Sequence, residues 1–180
     1  MTVPILPIVV VSSPDGMNWT TEATFEKDPA EYAEVHDPSI YIDGDTKYII
    51  YSCHNLSNDS YDLIKHVDAG TGFDAGDVIL YSYVGEIEDV QCISGTTLGQ
   101  HLFAVTTVGI AHPGVFCCYS IGGTQLVAIS DLARDAAMPD FIFDPVPGSP
   151  DAYLHLVWCE RDDPTDNWEV FYRRGYLELQ

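Results

Sequence analysis

Asp37, Asp89 and Asp140 each stand just ahead of a short apolar run, in the stretches "HDPSIYI", "EDVQCIS" and "PDFIFD". They lie 52 and 51 residues apart, and His36 and Glu88 flank two of them. Carboxylates recurring in this way have three uses. They accept bonds from backbone N–H groups and fix the start of a strand. They supply oxygen ligands to a hard cation such as Ca²⁺. In glycoside hydrolysis, one carboxylic acid protonates a leaving oxygen while a carboxylate activates water. The three readings rank in that order, because turn chemistry alone repeats an Asp at one position. As a polar-ligand site the set is His36, Asp37, Asp89 and Asp140; as a metal site it is Asp37, Asp89 and Asp140, with Ca²⁺ the one cofactor considered. As a hydrolase, Asp37 would be the base and Glu88 the acid, with Asp89 or Asp140 tuning the pair by like-charge repulsion.

The elements that must position these residues are strands. Apolar runs of four to eight residues, rich in Val, Ile, Tyr and Phe, are separated by turn clusters such as "DGD" at 43–45, "SNDS" at 57–60 and "PGSPD" at 147–151. That texture reads as many short antiparallel strands. Only "DPAEYAEV" at 28–35 and "DLARDAA" at 131–137 read as helical pieces.

The strands also repeat. Each Asp is followed by a short strand, a turn and a longer strand, the latter ending "IIYSC" in the first unit and "HLVWC" in the third. A third strand follows each time ("YDLIKHVD", "GVFCCYSI", "WEVFYRR"), and a fourth follows the first two ("DVILYSYV", "TQLVAISD"). Four strands per period of 51–52 residues is the pattern of a β-propeller blade. The expectation is a single all-β, propeller-type domain over 1–180, with blades near 37–88, 89–138 and 139–180. The two strands within 1–36 close the C-terminal blade or that of a neighbouring chain, which covers an open sheet edge. Three blades are fewer than the four or so of a closed ring, so self-association, as a homodimer, is favoured. In such a ring the first strand of each blade lines a central channel, where the three aspartates would converge.

Two resemblances follow from these segments. "SPDGMNW" at 13–19 resembles the Asp-box of sialidases and related BNR-repeat propellers, with Gly16 directly after Asp15 and Asn18 where the family has Thr. The resemblance implies a turn between the third and fourth strands of a blade, with Trp19 as a buried plug. "HDPSIYIDGDTKYIIYS" looks like the first-blade segment of five-bladed glycosidases of the β-xylosidase and arabinanase kind, where the matching Asp is a general base. Those domains are much longer than this chain. Sialidase chemistry is disfavoured, because the four arginines (Arg134, Arg161, Arg173, Arg174) do not read as a triad on one inner face.

Bulk properties narrow the partners. Seven Lys+Arg against 28 Asp+Glu give −21 at pH 7, which excludes a nucleic-acid backbone as partner. No run of apolar residues is long enough for a membrane helix. The apolar N-terminus "TVPILPIVVV" lacks a basic flank and carries two prolines, so it reads as structure, not a signal peptide; cytoplasm, virion or export by another route all remain. The five cysteines show no zinc spacing and sit in strand-like runs, so they read as buried free thiols. The histidines form no HExxH or H-x-H pattern. Trp158 and Trp168, with Tyr153, Tyr172 and Tyr176, are candidates for a sugar-stacking surface in the third blade. The leading function is a non-catalytic glycan-binding or assembly propeller, as an adhesion module or a structural component of a larger particle. The alternatives are a glycoside hydrolase and a purely structural interaction domain.

Overall fold

The computed structural model describes residues 5–74, 76–95, 100–108, 112–120, 126–149 and 151–177; for 43, 89, 91–95, 100–105, 107, 108, 117–120, 126, 143 and 177 it describes the backbone alone. The fold is all-β. Among the described residues there is no helix, and so none long and apolar enough to cross a membrane. Contacts divide the chain into two compact units, Met1–Val84 and Gly85–Gln180.

In the first unit, β1 (Ile8–Ser12) and β2 (Thr20–Phe25) form a two-stranded sheet, and β3 (Tyr32–Asp43), β4 (Thr46–Asn55), β5 (Ser60–Asp68) and β6 (Val78–Tyr83) form a four-stranded meander in chain order. In the second, β7 (Glu86–Gly95), β8 (Gln100–Val108), β9 (Gly114–Ser120) and β10 (Leu126–Ala128) make another four-stranded meander. A three-stranded meander follows, β11 (Asp135–Pro145), β12 (Ala152–Arg161) and β13 (Glu169–Leu177). Every pairing is antiparallel, the up-and-down order of propeller blades. The strand assignments expected from the repeat are all present. The two N-terminal strands are present too, and β1 pairs with β2.

Both expected helices are turns. Asp28 accepts the Ala30 N–H and Asp131 the Ala133 N–H, and each turn leads directly into a strand. Runs this short cannot offset the cost of helix nucleation, whereas an Asp side chain closes a turn locally.

The first-unit core joins Ile8, Val10 and Phe25 of the hairpin to Tyr32, Ile49, Tyr51, Cys53 and Ile64 of the sheet. It also encloses charge. The Lys27 ammonium, on a side chain 5% exposed, meets Asp77 Oδ1 at 2.5 Å and lies 5.3 and 5.4 Å from the Tyr32 and Tyr51 ring centres. Buried His66 stacks on Phe25 at 4.1 Å and bonds the Tyr51 hydroxyl at 2.9 Å. Burial pushes the Tyr32 hydroxyl up to about 12, raises that of Tyr51 further still, and pushes the Cys53 thiol up to about 12. The apolar cluster of the second unit is Val115, Ala136, Phe141, Leu154, Leu156 and Trp158, and Asp135 and Glu160 are buried in the same unit. Cys53 and Cys159 are free thiols, the first buried and the second half-buried, while the side chains of Cys92, Cys117 and Cys118 lie outside the described residues.

The turn between β1 and β2 is held by Asp15. Its Oδ1 accepts the N–H groups of Met17 and Asn18 and the Ser13 hydroxyl, and its Oδ2 the Asn18 side-chain amide. Those donors, the Asn18 N–H first, hold its carboxyl far below the usual carboxylate range. Trp19, expected as a plug, is 63% exposed. A two-stranded hairpin has one covered face, and here Ile8, Val10 and Phe25 occupy it.

Candidate functional site

The first strand of each meander breaks its ladder at the same place. Pairing passes from His36↔Ser52 to Ser39↔Ile50 in β3, from Glu88↔Thr106 to Gln91↔Ala104 in β7, and from Ala137↔Cys159 to Asp140↔Val157 in β11. Two residues therefore bulge against one: Asp37–Pro38, Asp89–Val90 and Met138–Pro139. Asp37 (φ 52°) and Met138 (φ 56°) sit in the left-handed region, which side chains adopt at a cost. This corrects the equivalence of the three aspartates. Asp37 and Asp89 share a position, but Met138 stands there in the third sheet and Asp140 aligns with Ser39 and Gln91. The proline at the bulge, not the Asp after it, is what the first and third repeats have in common.

Asp37 lies in the first unit, beside His36, whose Nδ1 is 3.1 Å from Asp37 Oδ2. Glu88, Asp89 and Asp140 lie in the second. Glu88 is half-buried, the Asp89 side chain lies outside the described residues, and Asp140 is exposed, its Oδ1 accepting the Phe141 N–H at 2.8 Å.

The residues that come together around Asp140 are those of the open face of β11–β13. Side chains alternate across a sheet, so register decides which share a face. Three cross-strand rows do: Asp140, Val157 and Tyr172; Ile142, His155 and Arg174; Asp144, Tyr153 and Tyr176. A cleft of about 430 Å³ opens there, lined by Asp140, Ile142, Asp144, His155, Val157 and Tyr172. His155 links the rows, with Nδ1 bonded to the Tyr172 hydroxyl at 2.8 Å and Nε2 3.8 Å from Asp144 Oδ2. With its proton on Nε2, toward the carboxylate, Nδ1 accepts from Tyr172. The Tyr153 ring meets Tyr176 edge-on at 5.2 Å and carries the Arg174 guanidinium at 3.6 Å from its centre. The Tyr176 hydroxyl donates to Asp151 at 2.6 Å. Ile142 is 68% exposed and Tyr172 59%.

The tryptophans part company with the tyrosines. Trp158 points to the other face, 6% exposed in the core, its Nε1 donating to Glu160 Oε1 at 2.6 Å. It is closed to a ligand on the open face. Trp168 is partly exposed beneath Arg161, whose guanidinium lies 4.4 Å from its ring centre. Tyr153, Tyr172 and Tyr176 were legible as candidates; Ile142, Asp144, His155 and Arg174 were not. The signal was present in the alternation of "DFIFD" and "YLHLVW", but only the register against β13 turns it into a shared face.

No protein-family model matches the chain, and no curated protein matches it by sequence. Among solved structures it is similar, at a TM-score of 0.45 and 10% identity over 76% of its length, to one described as "The GH130 family of mannoside phosphorylases contains glycoside hydrolases that target beta-1,2 mannosidic linkages in Candida mannan". The chain spans 48% of that structure's chain.

Proposed function

We propose that the chain is a carbohydrate-binding module of the propeller type, which holds a neutral sugar on the open face of β11–β13 without cleaving it. One observation carries this reading: exposed Tyr172 lines a cleft with Asp140, Asp144 and His155, and half-buried Tyr153 and exposed Tyr176 share the same face of the sheet. Tyrosine offers an apolar ring to the C–H face of a sugar and a polar tip to its hydroxyls. Carboxylates and imidazole at the rim fix orientation, as the few polar groups of a small-molecule site do. The net charge of −21 disfavours polyanionic glycans.

Spacing within the cleft supports binding over hydrolysis. Asp140 and Asp144 are four residues apart on one strand, roughly 13 Å at about 3.3 Å per residue. Glycosidases hold their carboxyl pair about 5–9.5 Å apart across the scissile bond. The test is thermal unfolding with a panel of neutral oligosaccharides, since a ligand that binds only the folded chain raises Tm. A rise with at least one sugar, lost in Tyr172→Ala, supports the reading; no rise at millimolar sugar across the panel contradicts it.

A second reading is self-assembly through the same face, favoured by Ile142 and Val170, 68% and 78% exposed. Light scattering at low and high salt separates the two, because a homodimer closed by this face reverts to monomer in Ile142→Asp.

A further inference from the structure

In the first unit a second group of side chains gathers near the start of β3, apart from any use in sugar binding. His36 Nδ1 is engaged by Asp37 Oδ2 at 3.1 Å. Its other ring nitrogen, Nε2, is buried and is reached by no hydrogen-bond partner among the described residues. Glu34 places a carboxylate oxygen within 4.8 Å of a ring nitrogen of His36. Tyr61 donates to Glu34 Oε2 at 3.3 Å and meets the His36 ring edge-on, with centroids 5.8 Å apart.

A buried polar nitrogen with no hydrogen-bond partner among the described residues asks for an explanation, and ion binding is one. The surroundings of His36 have the form that a metal-bound histidine requires. Such a histidine gives its second nitrogen to a carboxylate, which fixes the ring and leaves the first nitrogen's lone pair directed at the metal. Asp37 is that carboxylate, and the left-handed bulge (φ 52°) sets it beside the ring. The equivalent bulge of β11 carries Ala137 and Met138, so the bulge itself does not require these side chains.

We propose that His36 Nε2 and the Glu34 carboxylate bind a divalent transition-metal ion of the zinc class, with Asp37 orienting the imidazole and Tyr61 the carboxylate. Imidazole with one carboxylate suits Zn²⁺, Cu²⁺ or Ni²⁺, whereas Ca²⁺ and Mg²⁺ take oxygen alone. Zn–N and Zn–O bonds of about 2.0–2.2 Å bring the two donor atoms closer than 4.8 Å, which rotation of the exposed Glu34 side chain supplies. Water or a further ligand fills the remaining positions. Asp37 thus supports the ion from behind the histidine and is not itself a ligand.

The experiment is calorimetric titration of the full chain with zinc chloride at pH 7.5, alongside His36→Gln, Glu34→Gln, Asp37→Asn and His54→Gln. The expected result is one ion per chain, bound at least tenfold more weakly in His36→Gln and Glu34→Gln. Asp37→Asn loses about tenfold as an orienting partner does, and His54→Gln matches the parent. Glu34 is exposed, so its variant reports even if His36→Gln does not fold. Binding no tighter than millimolar, or binding unchanged in Glu34→Gln and in any folded His36→Gln, overturns the proposal.

Discussion

Strands β3 and β11 break their ladders at the same position, with the same left-handed residue ahead of a proline, yet they carry different chemistry there: His36 and Asp37 in one, Ala137 and Met138 in the other. The cores behind them differ in the same sense. The first unit packs Lys27 and His66 among its aromatics, while the second buries Glu160 beside Trp158 and sets Asp140, Asp144 and His155 on its open face. One strand-and-bulge scaffold thus presents polar chemistry on either side of a sheet. Side-chain choice at a few alternating positions, not topology, decides which.

The largest expected effect lies in the apolar core. Trp158→Ala removes the biggest side chain of the second unit's buried apolar cluster and also leaves Glu160 without its indole donor, so it should cost about 4 kcal/mol in urea unfolding. Tyr172→Ala, on the exposed face of the same sheet, should stay within about 0.5 kcal/mol. In the first unit, Asp77→Ala strands the Lys27 charge among Tyr32 and Tyr51 and should cost about 3 kcal/mol. The double variant Lys27→Met/Asp77→Leu should recover most of that loss, because no charge is then left enclosed by Tyr32 and Tyr51. A double variant no better than Asp77→Ala would mean that the pair specifies the fold around it.

The bulges give a smaller and more discriminating contrast. Met138→Gly relieves a side chain from left-handed backbone and should raise stability by about 1 kcal/mol. Asp37→Gly relieves the same backbone but loses the bond to His36, so its gain should be smaller or reversed. Equal gains at both sites would show that Asp37 does nothing beyond tolerating the bulge.

The smallest effects belong to the turns. Asp68 in the first unit accepts the Gly70 and Gly72 N–H groups, and Asp163 in the second accepts the Thr165 N–H and hydroxyl. These bonds, those from Gly70 and Thr165 first, hold each carboxyl below its usual range. A folded value below the unfolded one gives stability that is present above about pH 4 and lost as pH falls through the folded value. The urea midpoint should therefore fall below about pH 4, and Asp68→Asn and Asp163→Asn should each flatten part of that fall.

The strands were legible in the sequence because β-branched and aromatic runs between Asp, Gly and Pro turns have few other solutions. The hairpin "DGD" fixes its corner with Gly44 at φ 57°, and β12 alternates buried and open residues along most of its length. Register was not legible. The extra residue at each bulge shifts the ladder without changing the apolar pattern, so Asp140 was matched to Asp37 when Met138 is its structural counterpart. Trp19 misled for a related reason: its neighbours form a tight Asp turn whatever the tryptophan covers, and exposure depends on packing beyond the turn. The site was half-legible, since Tyr153, Tyr172 and Tyr176 declare themselves by type while His155 and Asp144 join them only through pairing.

The most direct test of the central claim is ligand-observed NMR of the intact chain with neutral oligosaccharides, run in parallel on the parent and on Tyr172→Ala. The account predicts saturation transfer to sugar C–H protons from the parent and its loss in the variant, with both proteins equally folded. Equal transfer from parent and variant, or none from either, would contradict a sugar site on the open face of β11–β13.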